Sequence, residues 1–466
     1  MSDFKNKKAL VMGLGLNEEG SGISAVKFLL QAGAQVTVSD LKTKSQLAEQ
    51  INRLGDLSKK IKFVLGRHQR SDFLSADLVL KNPGVPRNSS FLKLASDRGI
   101  PIYTDISLFF KLFGVKKIIG ITGTRGKSTT TSIIHELVKH KDRGSIIGGN
   151  IQKSPLTQLD SALGHWAVLE LSSWMLESLE PLQLSPHIAV FNNIYPDHLN
   201  TYNNNIDDYI EAKKNILRFQ TSADFLVINR DNGYTRKIGK EALAKRFWFS
   251  LKNFSEENGS YIKNKKIFFR RDGIEQEICS VSEVAIMGRH NLENVLGAVA
   301  VAGILGVNPK MIKKTLGQFH GIANRLEFIK KINEVSYYND TTSTTPEATL
   351  AGLKTLGSKK KNIILLAGGS DKGLDFSVLA NNINKYCKAV ILFAGTGTER
   401  LKKSLKDSAV PLTIVNSMSE AVKLGQAISM TGDIVLLSPA CASFGLFINE
   451  FDRGRQFVDC VNNLQS

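Results

Sequence analysis

The sequence predicts an α/β fold of three consecutive domains, and three observations carry the prediction. Short apolar runs end in Gly-, Asn- or Asp-rich turns and lead into amphipathic stretches, the texture of βαβ units. That texture starts afresh near Lys8, Lys117 and Val335. The chain of 466 residues also exceeds what a usual domain of about 100–200 residues accommodates.

Composition narrows the class further. Apolar residues make up 42% and charged residues 22%, with 38 Gly against 11 Pro, a globular balance that excludes collagen, coiled coil and disorder. Glycines and Glu18-Glu19 break the first apolar stretch, and no later run approaches the ~20 residues of a membrane span. Neither a signal peptide nor a membrane segment is expected. Cys279, Cys387, Cys441 and Cys460 form no CxxC and no Cys/His cluster, which argues against a disulfide framework or zinc and for a reducing cytoplasm. The net charge of +18 suits nucleic acid, an anionic membrane face or small polyanions such as nucleotides. The lysine runs at 263–266 and 359–361 lack interleaved aromatics, so they read as solvated surface and no nucleic acid partner is expected.

The first domain, 1–106, opens with the strand from Lys8, the turn Gly13-Leu-Gly15, a helix over 24–31 and a strand ending at Asp40. Further strands at Leu78 and Ile100 complete a Rossmann-like sheet. Asp40 occupies the ribose-binding place of that fold. The turn is longer than G-x-G-x-x-G, so NAD, another nucleotide and a plain turn all remain open.

The second domain, 107–322, begins with the strand Lys117 to Thr122 and a helix over 128–140, with buried strands at Trp166, His187 and Asp224. Between Trp248 and Ile286 the pattern turns polar and alternating, which suggests a small antiparallel insertion. A helix over 290–305 closes the domain. The third domain, 323–466, shows strands from Val335, Asn362, Ala389 and Asp433, again Rossmann-like, with ligands expected at the strands' carboxyl ends.

The sharpest motif is Gly120-Ile-Thr-Gly-Thr-Arg-Gly-Lys-Ser-Thr-Thr130, between a strand and a helix. Glycines there let backbone N–H groups and the helix N-terminus surround a phosphate, Lys127 neutralises it, and the Ser128 hydroxyl can ligate Mg²⁺. The strict P-loop pattern needs Gly where Ile121 stands, so this is a P-loop-type variant. Glu170 ends an apolar strand, where a hard cation beside ATP needs an oxygen ligand; a solvated strand end is the bland alternative. Asp197 and His198 follow another buried strand into a loop. On a helix the neighbours of Lys213 are Tyr209, Ile210, Ile216 and Leu217, whereas Lys214 has Glu211 and Arg218. Lys213 therefore points inward or snorkels, and Lys214 lies at the margin.

In sequence order these motifs, with GGNI from Gly148, LELSSWMLE from Leu169, PDH from Pro196, GRHNLEN from Gly288 and NRLE from Asn324, resemble the Mur ligase family over nearly the whole chain. The closing Leu437 to Phe444 and Arg453-Gly454 resemble the members that add glutamate to UDP-N-acetylmuramoyl-L-alanine. The resemblance implies ATP-dependent amide formation through an acyl phosphate, in cytoplasmic peptidoglycan precursor synthesis. It implies a UDP-sugar domain, an ATP domain, and a C-terminal amino-acid and nucleotide domain in one monomeric chain. ATP would be held by Gly123, Thr124, Arg125, Gly126, Lys127, Ser128, Thr129 and Thr130, with Asn291, Asn294, Arg325 and Asp340. Two Mg²⁺ ions would be served by Ser128 and Glu170, and by His198 and a carbamylated Lys213. Gly15, Asp40, Asn82 and Gly84 would meet the UDP sugar, Asn150 and Ser172 would lie near the substrate, and Lys372, Ser443 and Phe444 would hold glutamate.

The sequence departs from the family's pattern at Thr342, where a lysine is expected, at Asn324, where a His is expected, and at Arg125, where Asn is commoner. D-glutamate is the expected acceptor, and these departures leave its hand open. An L-glutamate-adding variant or a folylpolyglutamate-type ligase is the alternative within the class; an NAD-dependent oxidoreductase built on the Gly13-Leu-Gly15 turn is the alternative outside it.

Overall fold

The computed structural model describes residues 2–15, 20–86, 88–151, 154–196, 201–286, 288–358, 360–371 and 373–464. The chain folds into two compact units, one of residues 1–285 with 289–318, the other of 286–288 with 319–466.

The first unit holds two sheets. The N-terminal one contains β1 (Lys8–Met12), β2 (Gln35–Asp40), β3 (Ile61–Leu65), β4 (Leu78–Lys81) and β5 (Ile102–Tyr103) in the order β3-β2-β1-β4-β5, all parallel. Strand order reverses between β1 and β4, so a crevice opens at their carboxyl ends. The helix Ser21–Gln31 buries Ile23, Val26, Phe28 and Leu29 against the sheet. A second helix, Asp105–Phe113, starts with a capping box between Thr104 and Ser107 and runs unbroken through residues 106 and 107. The two hydroxyl residues satisfy backbone N–H groups at its start.

The central sheet contains β6 (Ile118–Thr122), β7 (Ile146–Gly149), β8 (Ala167–Glu170), β9 (Ile188–Phe191), β10 (Phe225–Asn229), β11 (Lys245–Ser250), β12 (Gly259–Lys263), β13 (Lys266–Arg271) and β14 (Ile274–Ser280). Their order is β14-β13-β12-β11-β10-β9-β6-β8-β7. Every residue of β6, β8 and β9 is buried, as expected of parallel strands covered on both faces. The stretch expected to form a small antiparallel insertion is instead an extension of this sheet. β12 pairs parallel with β11, and only β13 and β14 turn antiparallel. Its alternation arises because one face packs on the helix Arg289–Ile304, where Gly303 leaves room for the Phe269 ring. A helix not anticipated from the sequence, Pro309–Gln318, follows.

The second unit has β15 (Glu327–Ile332), β16 (Val335–Asn339), β17 (Ile363–Gly368), β18 (Cys387–Phe393), β19 (Leu412–Val415) and β20 (Ile434–Leu437) in the order β15-β16-β20-β17-β18-β19. Only β15 runs antiparallel. The two edges, β15 and β19, were not expected; both are largely solvent-facing, and a single buried face gives a weak apolar signal. The four cysteines are free thiols.

Candidate active site

The glycine loop 123–126 joins β6 to the helix Lys127–Val138. Gly126, at its last turn, has φ +80°, and a Cβ there would stand 2.1 Å from Asn294 Oδ1, so glycine lets the loop lie directly on the start of the helix Arg289–Ile304. That contact is polar throughout. Thr130 Oγ1 donates to Asn294 Oδ1 at 3.3 Å, Asn294 Nδ2 donates to Asn291 Oδ1 at 3.3 Å, and Asn192 Nδ2 donates to Thr130 Oγ1 at 2.8 Å. On the other side Asn193 clamps the exposed Arg125 through its backbone, accepting from its N–H at 2.9 Å and donating to its carbonyl at 3.2 Å. Lys127 Nζ curls over the loop to the carbonyls of Gly123 (3.0 Å) and Thr124 (3.1 Å). Ser128 and the buried Thr129 follow in the first helical turn.

Parallel strands bring further groups to the same edge. Glu170, at the end of β8, is 2% exposed. Its Oε1 accepts from Asn150 Nδ2 at 2.8 Å, while its buried Oε2 has no hydrogen-bond partner among the described residues. An unsatisfied buried carboxylate oxygen is costly unless a cation meets it. Ser172 is the N-cap of the helix Ser173–Glu177, accepting from Met175 N at 3.4 Å. Lys213, on the helix Ile206–Lys214, is 2% exposed; its Nζ donates to Gly123 O at 3.0 Å and lies 4.7 Å from the centroid of the Tyr209 ring. Lys214 points outward to Glu211 at 2.8 Å. Asp197, His198 and Lys372 lie outside the described residues.

In the N-terminal sheet Gly15, Asp40, Asn82 and Gly84 meet at the carboxyl ends of β1, β2 and β4. Asp40 Oδ2 accepts from Leu14 N at 2.9 Å and Oδ1 from Lys42 N at 2.9 Å, so this carboxylate holds the turn's backbone in shape. Gly15 has φ +77° and abuts the Asn82 side chain, whose Oδ1 accepts from Gly84 N at 3.1 Å. His68, which no sequence pattern singled out, lies 2.7 Å from Ser39 Oγ through Nδ1.

In the second unit Asp340 is 2% exposed; Oδ1 accepts from Leu326 N at 3.1 Å and Oδ2 from Ser438 Oγ at 2.7 Å. Burial pushes its carboxyl up to about 6, against hydrogen bonds from Ser343 and Ser438 and the charge of Arg325. Ser443 is buried and Phe444 is 64% exposed, its carbonyl accepting from Ser370 Oγ. Thr342 Oγ1 donates to the carbonyl of Asn324 at 2.9 Å. Arg453 belongs to the closing motif, and its sequence context assigns it no role. Fully buried, it donates from Nε to Thr341 Oγ1 at 3.0 Å and from Nη2 to Thr341 O at 2.9 Å, and burial lowers its guanidinium to about 10.

Residues 7–104 match the Mur ligase MurD-like N-terminal domain, 121–302 the Mur ligase middle domain and 324–441 the Mur ligase glutamate ligase domain. The chain is 40% identical over 468 residues to a Borreliella burgdorferi protein named UDP-N-acetylmuramoylalanine--D-glutamate ligase, covering 100% of this chain and 99% of that one. The chain belongs to the Mur ligase family. Its fold is that of solved Mur ligases. The UDP-N-acetylmuramate-alanine ligase of Thermotoga maritima superposes with a TM-score of 0.62 at 20% identity, over 98% of this chain and 99% of that one. A second ligase of that organism, solved in complex with ADP, gives 0.58 at 15% identity, over 99% and 98%.

In this Mur ligase, Asn192, Asn193 and Tyr209 support the glycine loop 123–126, with Thr124 Oγ1 3.3 Å from the Tyr209 hydroxyl. Their signal was available as the pair of amides ending a buried strand, but nothing local said which loop they would face. Among the described residues no three of His, Cys, Asp and Glu converge as a metal cluster, and no helix is long and apolar enough to cross a membrane.

Proposed function

We propose that this Mur ligase joins UDP-N-acetylmuramoyl-L-alanine to D-glutamate with ATP, in cytoplasmic peptidoglycan precursor synthesis, acting as a monomer. The observation that carries the reading is the buried, unpartnered Glu170 Oε2 on the strand edge that also carries the phosphate loop. The named relatives, matched end to end, support glutamate as the acceptor and its D hand. The +18 charge then serves to attract the anionic substrates rather than nucleic acid.

In this reading residues 1–106 bind the UDP sugar, 107–322 bind ATP, and 323–466 bind glutamate and part of the nucleotide. The muramoyl-alanine carboxylate attacks the γ-phosphorus, the bond to the β–γ bridging oxygen breaks, and ADP leaves. The glutamate amine then attacks the acyl carbon of the acyl phosphate, the C–O bond to phosphate breaks, and the amide forms with loss of a proton and inorganic phosphate. The loop Gly123 to Thr130 orients the transferring phosphoryl group, and Lys127 leaves its two carbonyl partners to neutralise it. Asn150 fixes the carboxylate of Glu170, while Asn291 and Asn294 hold the loop against the nucleotide. Arg325 and Asp340 contact the nucleotide; Lys372, Ser443 and Phe444 contact glutamate; Gly15, Asp40, Asn82 and Gly84 form the UDP-sugar site, and Ser172 borders the reacting end.

The residues fit Mg²⁺: Glu170 supplies an oxygen with no protein donor, and Ser128 a hydroxyl in the next strand's loop. Ser128 and Glu170 would hold one ion, His198 and a carbamylated Lys213 the other. When bound, Mg²⁺ neutralises the clustered phosphate charge. Carbamylation, in which the neutral Lys213 amine adds to CO₂ and releases a proton, turns a buried amine into an anionic ligand. The deciding experiment incubates the protein with ATP, Mg²⁺ and UDP-N-acetylmuramoyl-L-alanine, with D- or L-glutamate, and measures phosphate and the coupled product. Turnover with D-glutamate alone supports the reading; turnover with L-glutamate alone, or none, overturns it.

A further inference from the structure

Arg453 has no place in the chemistry above, yet its guanidinium joins two of the loops that chemistry needs. It sits on the helix Glu450–Asn462 with its side chain fully buried. Nε donates to Thr341 Oγ1 at 3.0 Å and Nη2 to Thr341 O at 2.9 Å, in the loop after β16. Nη1 reaches Cys441 O at 3.5 Å, in the loop after β20. Thr341 Oγ1 in turn donates to Glu450 O at 2.8 Å. The next residue, Gly454, lets the helix lie directly on the chain, since a Cβ there would stand 2.1 Å from Asn324 Oδ1. The loop after β20 carries the tie further. Ser370 N donates to Ala442 O at 2.9 Å, Ala442 N donates to Ser370 O at 3.2 Å, and Ser370 Oγ donates to the carbonyl of Phe444. Ser443 and Phe444 are therefore held by the loop after β17 and, through Cys441, by Arg453.

We infer that Arg453 is a positioning residue for the incoming glutamate, fixing the loop of Ser443 and Phe444 against the loop of Thr341 at the carboxyl ends of β20 and β16. The inference rests on the ligase reading. A planar guanidinium offers five donors in a fixed fork, so one side chain sets the spacing of both loops. Stability alone does not explain a charge in this place, because well-packed apolar side chains often serve a buried site as well or better. Amide formation does explain it. The glutamate amine must meet the acyl carbon, and small displacements of reacting groups carry large rate penalties.

Arg453→Lys, which keeps the charge and loses the fork, should raise KM for glutamate about tenfold and leave KM for ATP and for UDP-N-acetylmuramoyl-L-alanine within about threefold. The nucleotide contact is spared because Asp340 is held separately, by Leu326 N and Ser438 Oγ. Arg455→Ala, two positions along the same helix and exposed, should match wild type for all three substrates, and the same selective rise there overturns the inference. A rise in all three KM values of Arg453→Lys, or in none, also overturns it, since a merely structural arginine would change stability without choosing among substrates. Should that variant not fold, Thr341→Val decides, because it removes the Oγ1 partner and keeps the shape: a selective rise in KM for glutamate supports the inference, and any other result overturns it. Wild-type protein that couples neither glutamate enantiomer overturns the ligase reading and this inference together; active wild type with unaltered variants overturns this inference alone.

Discussion

Lys213 donates from Nζ to the carbonyl oxygen of Gly123 at 3.0 Å, across 90 positions of sequence. An amine only 2% exposed is thereby placed against the glycine loop before Lys127, with the Tyr209 ring beside it. Lys214, one residue on, is an ordinary surface cation paired with Glu211.

The pair makes a direct test. Lys213→Ala should lose most ligase activity, and acetate should restore part of it by supplying a carboxylate oxygen. Lys214→Ala should stay close to wild type, since exposed pairs of this kind contribute little, about 0–1 kcal/mol. The reverse ranking of the two variants in a phosphate-release assay would place the second metal site elsewhere.

Lys127→Ala should slow turnover by ~10³-fold or more while leaving the fold intact, because a cation on the transferring phosphate acts mainly in the transition state. Two of its hydrogen bonds are to carbonyls of its own loop, a contact local enough for the fold to survive its loss. Circular dichroism and single-turnover kinetics check the two halves; a near-normal rate removes the phosphate-loop assignment.

Glu170→Gln should keep the hydrogen bond from Asn150 but lose the oxygen charge that a cation needs. Wild type should gain thermal stability when Mg²⁺ and ATP are added together, and the variant should gain little. Its rate should fall by about 10²-fold or more. An unchanged Mg²⁺ titration would take Glu170 out of the site.

Asp340 predicts a pH dependence of stability in ligand-free protein. With its carboxyl raised from 3.8 to about 6 in the folded chain, the folded state holds a proton that the unfolded state has released between roughly pH 4 and 6. This group's contribution to stability therefore declines as pH rises through that window. A shift of about 2 units corresponds to roughly 3 kcal/mol, an upper figure because Asn replaces one acceptor with a donor. Asp340→Asn should melt higher than wild type at pH 7.5, with the gap closing near pH 4. Equal melting points at both pH values would contradict the burial argument.

Local sequence determined much of this protein. The buried strands of the central sheet, the glycine loop before Lys127 and the inward face carrying Lys213 are all readable, because backbone propensity, periodicity and turn chemistry act over a few residues. The edge strands β15 and β19 and the short Gly-rich β7 were not legible, since each presents too few buried apolar residues for a period to show. Only the tertiary structure decided which loops share an edge. The parallel sheet stacks its strands as β9-β6-β8-β7, out of chain order, and so brings Asn193, Gly126, Glu170 and Asn150 to one end. The pairing of polar groups far apart in sequence is set by burial and hydrogen-bond satisfaction in the folded chain, and no local pattern encodes it.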